Sequence, residues 1–381
     1  MPRALTTLPA MRIVMVNSTS PDTFGGVERW MVRASRGLVR RGHTVHLAAR
    51  RGGRLLEEAR GAELPAHGHR FGPDWNPLSA LRLARLARRH GLEAAVVNHN
   101  KELTHAALAR RLSPLRRVVG RSVLPMMDTG GRHRRLYEKH LDGMITPSRE
   151  VRRVVEGYAW MRDVRVQNIP NGLDLEALDA ERDRLGGRDV VRSELSLTPD
   201  AFVVCGVGRL EPHKGYDVLL DAFEEVARER DEAHLVLVGD GSRADELRDR
   251  AGGLEEGASR VLFTGFRPDP YRFMMASDVL VLPSTTEYET FGQVLIEAMA
   301  LYVPVVGSRI GGIPEVIRDG ENGLLVEPGD ARDLGRALLR LALDREERRR
   351  FAREGRCTVE EHYREETMLD RLETYLEDLL T

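Results

Sequence analysis

Short apolar runs rich in Val, Ile and Leu recur along the whole chain, and most are followed by a stretch with helical spacing. This alternation is the tightest constraint on the fold. Strands that read as continuous apolar runs are buried on both faces, and strands separated by helices pair in parallel. The runs fall into two sets. RIVMVN (12 to 17), TVHLAA (44 to 49), AAVVN (94 to 98), RRVVG (116 to 120), GMIT (143 to 146) and VRVQNI (164 to 169) form the first. AFVVCGVG (201 to 208), HLVLVG (234 to 239), RVLFTG (260 to 265), VLVLP (279 to 283), VPVVG (303 to 307) and GLLVE (323 to 327) form the second. Each set suffices for one doubly wound, Rossmann-like α/β domain, and 381 residues are long for a single core. The polar, weakly periodic segment 174 to 200 reads as a linker. The expected division is therefore an N-terminal domain over 1 to 180 and a C-terminal domain over 181 to 362. From Ala331 to Leu380 the pattern is helical, and the closing stretch, 363 to 381, carries an apolar stripe that needs a partner surface.

A hydrophobic content of 41% with 31% charged residues is globular, and no apolar run reaches the ~20 residues of a membrane span. The opening MPRALTTLPAMRIVMVN is too brief in its apolar part for a signal peptide. Cys205 and Cys357 are the two cysteines, so no disulfide framework is expected and a cytoplasmic location fits. The net charge of -1 hides an asymmetry: residues 1 to 180 hold 31 Lys+Arg against 17 Asp+Glu, and the remainder 27 against 42. A basic first half suits an anionic partner such as an acidic glycan, a phosphorylated lipid or a membrane surface; alternatively the two halves complement one another. In NPLSALRLARLARRHG, Leu78, Leu81, Leu83 and Leu86 alternate with Arg82, Arg85, Arg88 and Arg89. That basic amphipathic helix, 77 to 90, fits either peripheral contact with an anionic membrane or a sheet-covering role with a solvated Arg face. No nucleic-acid partner is expected.

In open parallel sheets ligands bind beyond the carboxyl ends of strands. Three such loops carry chemistry. After RIVMVN come Gly25 and Gly26 ahead of a helix, where backbone amides can approach a phosphate or sugar, or simply form a tight turn. Neither the GxGxxG spacing nor a P-loop is present. After AFVVCGVG the chain delivers Arg209 and then Lys214 at a helix start, two cations suited to a diphosphate in place of a metal, or a solvated basic turn. In LPSTTEYETFGQVLIEAMA, Phe291, Val294, Leu295, Ala298 and Met299 form the expected buried stripe of a helix, with Glu297 pointing away from it. Glu289 precedes that helix, and Phe291 and Gly292 offer amides beside it. Two carboxylates near an amide-rich helix start suit a hydroxyl-rich ligand, or merely complement the helix dipole.

Together, E-T-F-G-Q-V-L-I-E-A-M-A with its two glutamates, G-R-L-E-P-H-K-G, I-P-N-G-L-D and the early G-G-V-E resemble, in order along most of the chain, the family 4 glycosyltransferases of GT-B fold. The resemblance implies two Rossmann-like domains facing across a cleft, with a final helix crossing back to the first. It implies transfer of a sugar from a nucleotide-diphosphate sugar with retention. Arg209 and Lys214 would hold the diphosphate, Glu289 the transferred sugar and Glu297 the ribose. Amides near Thr290, Phe291 and Gly292 would hold sugar and phosphate, and the loop Gly265-Phe266-Arg267 would wall the base. The acceptor, a glycan or lipid-linked saccharide of the bacterial cell envelope, would face the first domain near His99 and Asn171. One departure stands out: the family's first-domain His is missing from RRVVGRSVLPMMD, where His99 or His105 would have to substitute.

No Asp-x-Asp pair and no His/Cys cluster of ligand spacing occurs, and His67 and His69 in AHGHR read as loop residues, so no metal and no cofactor are expected. Two rival functions share the architecture: a nucleotide-sugar epimerase, and a nucleotide-sugar-binding protein without catalysis.

Overall fold

The computed structural model describes residues 10–121 and 131–381. The apolar runs assemble into two wholly parallel sheets. In the first, β1 (Arg12–Asn17), β2 (Thr44–Arg50), β3 (Ala66–His69), β4 (Ala94–Val97), β5 (Arg117–Arg121), β6 (Gly143–Thr146) and β7 (Arg165–Asn168) lie in the order 3-2-1-4-5-6-7. In the second, β8 (Phe202–Val207), β9 (Ala233–Val238), β10 (Val261–Gly265), β11 (Val279–Leu282), β12 (Val305–Ser308) and β13 (Leu324–Val326) lie in the order 10-9-8-11-12-13. Strand order reverses between β1 and β4 and again between β8 and β11, and each reversal opens a crevice at the carboxyl edge. Every expected run is a strand. β3, AHGH, was expected to be loop: it sits at the sheet edge beside β2, where a short, half-exposed strand needs no apolar alternation.

Two compact units result, Met1–Ile169 with Met368–Thr381, and Pro170–Thr367. Their boundary precedes residue 180. The expected linker is helical over Leu175–Arg184 and Arg188–Glu194 and belongs to the second unit. What disguised it is a buried arginine: Arg192 gives its guanidinium to the carbonyls of Ala276 and Pro199 and to Asp278, the last at 2.7 Å. A charged group thus takes a core position that apolar periodicity cannot detect.

Helices cover both faces of each sheet. The first unit's helix Pro77–His90 starts with Asn76, whose Oδ1 accepts from the amide of Leu78 at 2.9 Å, and stops at Gly91 in the left-handed region. It buries Ala80, Leu83, Ala84 and Ala87 on the sheet, whereas Leu78 is exposed. The buried face is therefore mostly alanine, with Leu83 the one fully buried member of the leucine row. No helix among the described residues is long and apolar enough to cross a membrane.

The last helix, Glu365–Leu380, finds its partner surface in the first unit's core: Met368, Leu369, Leu372, Tyr375, Leu376 and Leu379 pack with Trp30, Met31 and Leu38. The spacing of these residues is one face of a 3.6-residue period. Glycines admit the helix closely, since a Cβ on Gly37 would lie 2.3 Å from Leu369 and one on Gly143 would lie 2.2 Å from the Tyr375 hydroxyl. That hydroxyl donates to the Arg165 carbonyl at 2.6 Å, and Glu373 accepts from Arg41 at 2.7 Å.

Candidate functional site

The second unit gathers chemistry where β8 and β11 part. Leaving β8, the chain turns at Gly208, forms a single turn over Pro212–Lys214 and enters the helix Tyr216–Glu229 through Gly215, whose φ is +67°. A side chain at Gly215 would put Cβ 2.0 Å from the Pro283 carbonyl. Glycine therefore lets this turn press against the loop after β11, and the Thr285 amide bonds the His213 carbonyl at 3.0 Å. The contact brings Lys214 to Glu289.

Lys214 Nζ donates to Glu289 Oε2 at 2.6 Å, Ser284 Oγ donates to the same oxygen at 3.1 Å, and the Gly292 amide donates to Oε1 at 3.2 Å. Glu289 is 8% exposed. Burial pushes its carboxyl up, but the Lys214 ammonium and these hydrogen bonds outweigh burial and hold it below the ordinary carboxylate range. It is ionised at neutral pH and acts as an acceptor, not as an acid. Gly292, with φ +83°, caps the helix Gln293–Ala300. The glycines after β12 brace the loop: a Cβ on Gly311 would lie 2.1 Å from the Glu289 carbonyl, and one on Gly312 would lie 2.3 Å from that of Thr290.

Glu297 corrects the sequence reading. It is fully buried, not outward-facing, and its Oε1 accepts from Gln293 Nε2 at 3.1 Å. The short helix is enclosed nearly all round, with Val294 among its less buried residues, so a one-sided stripe does not describe it. Phe291 is buried edge-on against Tyr363, with ring centroids 5.6 Å apart.

At the same carboxyl edge of the sheet lie Arg209, after β8, and the β10 loop. The Arg209 side chain is 63% exposed and lies 3.8 Å from Glu211, which is engaged by Ser242 Oγ at 2.7 Å. Gly265, with φ +68°, bonds the Gly239 amide through its carbonyl at 2.9 Å, and beyond it Phe266 is 44% exposed. Arg267 pairs with Asp269 at 3.2 Å. Ser284, fully buried against Glu289, was not singled out from sequence, because a lone Ser after a strand carries no pattern.

The first unit's reversal point is organised differently. The Gly25 amide bonds Glu28 Oε2 at 2.9 Å, Asn17 Nδ2 bonds Glu28 Oε1 at 3.1 Å, and the helix begins at Gly26. Fully buried Glu102 accepts from the amides of Ser18, Asn98 and His99, the last two at 2.7 and 3.2 Å. His99 precedes the helix Asn100–Arg110, with Nε2 3.9 Å from Glu102. His105 is buried, its Nε2 3.2 Å from the Pro73 carbonyl, so it packs between elements. Asn171 is buried and belongs to the second unit.

Of the segment expected to carry a His, residues 122–128 lie outside the described residues. At its described end stands Arg121, 4% exposed, its guanidinium 4.4 Å over the Trp30 ring. Burial pushes it down to about 10, partly countered by Glu28. The visible signal was an arginine directly after the apolar run Val118-Val119-Gly120.

Residues 188–358 match the family described as glycosyl transferases group 1, and residues 24–177 match glycosyltransferase family 4. The lipopolysaccharide core biosynthesis glycosyltransferase LpsE of Rhizobium meliloti is 31% identical over 235 residues, 61% of this chain and 64% of that protein. A D-inositol 3-phosphate glycosyltransferase of Nocardia farcinica is 38% identical over 215 residues, 53% of this chain and 45% of that protein. The matched part is thus less than two thirds of either relative's length. Among solved structures, a glycosyltransferase from Rickettsia africae superposes with TM-score 0.85 at 19% identity, covering 98% of this chain and 100% of that one. HepE of Anabaena, crystallised with UDP, does so with TM-score 0.79 at 23% identity, covering 97% and 100%. At these identities the likeness concerns the fold.

Proposed function

The chain belongs to the group 1, family 4 glycosyltransferases, and on that footing we propose that it moves a sugar from a nucleotide-diphosphate donor to a glycan or lipid-linked acceptor with retention of configuration. The observation that carries the donor reading is the Lys214–Glu289 pair at 2.6 Å, set at the carboxyl edge between β8 and β11 under the Gly292 amide. An ionised, desolvated carboxylate accepts hydrogen bonds from sugar hydroxyls. Lys214 and the exposed Arg209 supply positive charge for the diphosphate, which gains charge as the bond from sugar C1 to phosphate oxygen breaks. The acceptor oxygen then bonds C1 on the same face, and its proton passes to the departing phosphate oxygen. No metal is assigned a part in these steps. Phe266 offers a face for the base, and the family resemblance assigns Glu297 to the ribose. HepE is known with UDP and with UDP-glucose, so these are the first donors to try.

The acceptor reading rests on the basic first half and on a relative that acts in lipopolysaccharide core synthesis. A concavity in the first unit lined by Arg134, Arg135, Lys139 and His140, with Glu138 paired to Arg134, keeps an excess of positive charge that suits an anionic saccharide. A cytoplasmic enzyme working at the inner membrane face fits the same chemistry.

A thermal-shift screen of UDP, GDP, ADP and their sugar conjugates, followed by mass analysis of products, tests the proposal. One nucleotide series should stabilise the protein and yield an extended acceptor. Arg209→Ala should lower kcat/KM by roughly thirtyfold to a thousandfold, ~2 to 4 kcal/mol of transition-state stabilisation. Near-normal transfer by that variant would overturn the diphosphate assignment, and sugar interconversion without acceptor would point to an epimerase.

A further inference from the structure

Away from the ligand edge of the first sheet, three histidines from three elements meet. His46 is the third residue of β2, His67 the second of β3, and His90 the last of the helix Pro77–His90. Residue 67 pairs with Ala48, two positions beyond His46, so both rings stand on the same sheet face, the one that this helix covers. His46 Nδ1 lies 2.7 Å from His67 Nε2, and the His46 and His90 ring centroids are 4.1 Å apart. One ring nitrogen from each of the three falls within 4.8 Å of the others.

We propose that His46, His67 and His90 bind one zinc ion. Zinc held by imidazoles at about 2.05 Å in tetrahedral geometry spaces its ligand nitrogens by about 3.3 Å, so small ring rotations close the set. Two of the three rings, His67 and His90, are half-buried and able to make them. Three protein nitrogens leave a fourth position for water or an anion, and imidazole favours zinc over the hard ions magnesium and calcium. Arg12, hydrogen-bonded to the His90 carbonyl, adds positive charge that favours an anion in the fourth position. Arg12 also fixes the site's geometry, since its Nε donates to the His90 carbonyl at 2.9 Å. Placed toward the amino edge, where β1 begins with Arg12, the site is separate from the donor-binding reading and independent of it.

The test uses untagged, chelator-treated full-length protein titrated with Zn2+ by calorimetry, and with Co2+ followed by its visible absorption. One equivalent of Zn2+ should bind, and Co2+ should give the intense bands of a tetrahedral site. His67→Gln and His90→Gln, both at half-exposed positions, should each weaken Zn2+ binding by about tenfold or more while circular dichroism shows a native fold. Glu377→Gln, in the separate group His43, Glu373 and Glu377, should leave it unchanged. Absence of saturable binding, or binding indifferent to both histidine substitutions, would overturn the proposal.

Discussion

Both sheets place glutamates at the point where strand order reverses, yet the two sets are used in opposite ways. In the first unit, Glu28 and Glu102 turn their oxygens inward: Glu28 holds the Gly25 amide and Asn17, and Glu102 holds three backbone amides. In the second unit, Glu289 is ionised against Lys214, with Arg209 exposed close by in sequence. Desolvation acts on Glu102 and Glu289 alike, and the outcome turns on partners. Glu102 has His99 and amide donors and stays above the ordinary range, whereas an ammonium at 2.6 Å carries Glu289 below it. A carboxylate at a strand end is thus a brace where amides consume it and stays charged where a cation faces it.

The largest expected effect comes from separating charge from stability at the second site. Lys214→Met should destabilise by about 3 kcal/mol, because the Glu289 carboxylate is left buried without its cation. Lys214→Met/Glu289→Gln should recover most of that in urea unfolding, yet remain about a hundredfold or more below wild type in kcat/KM. Recovery of transfer in the double variant would break the comparison.

Next, Glu102→Ala should cost about 2 to 3 kcal/mol in urea unfolding, since buried amides lose their acceptor. Donor KM, measured where the variant is folded, should not change; a large rise would make Glu102 a ligand group rather than a brace.

Acid titration sharpens the contrast in sign. Glu289, lowered in the fold, contributes stability above the ordinary Glu value of about 4.3, and that contribution is lost as pH falls through its folded value. Glu102, raised in the fold, keeps its proton longer than in the unfolded chain, so stability falls as pH rises above about 4.3 and through the folded value. Wild type compared with Glu289→Gln and with Glu102→Gln should therefore show opposite slopes, each at most about 1.4 kcal/mol per pH unit. Equal slopes would mean the two carboxylates share one environment.

The smallest effect is at the rim: Phe266→Ala should raise donor KM by about three- to tenfold and leave kcat alone.

The central strands were legible because burial on both faces forces an apolar run, as in RIVMVN and AFVVCGVG. Lys214 and Glu289 were legible through their places at a strand end and a helix start. What sequence hid was partnership. Arg192 stands in a core because three carbonyls and Asp278 surround it, and no spacing rule announces that. The burial of Glu297 and the bracing role of Gly311 and Gly312 follow from neighbours far along the chain. His46, His67 and His90 meet only after β2, β3 and a helix have packed, whereas ligand-spacing motifs record local neighbours.

The seating of Leu369, Leu372 and Leu376 among Trp30, Met31 and Leu38 sets a timetable for synthesis. The ribosome makes the first unit's strands before the second unit but delivers part of their core after it, so the first unit's core is completed only once the second has been made. The second unit, contiguous from Pro170 to Thr367, can close while Met368–Thr381 is still unmade. Until those residues arrive, the groove at Gly37 and Gly143 stays open to solvent, and a chain truncated just after Thr367 would carry a folded second unit attached to a first unit with an incomplete core.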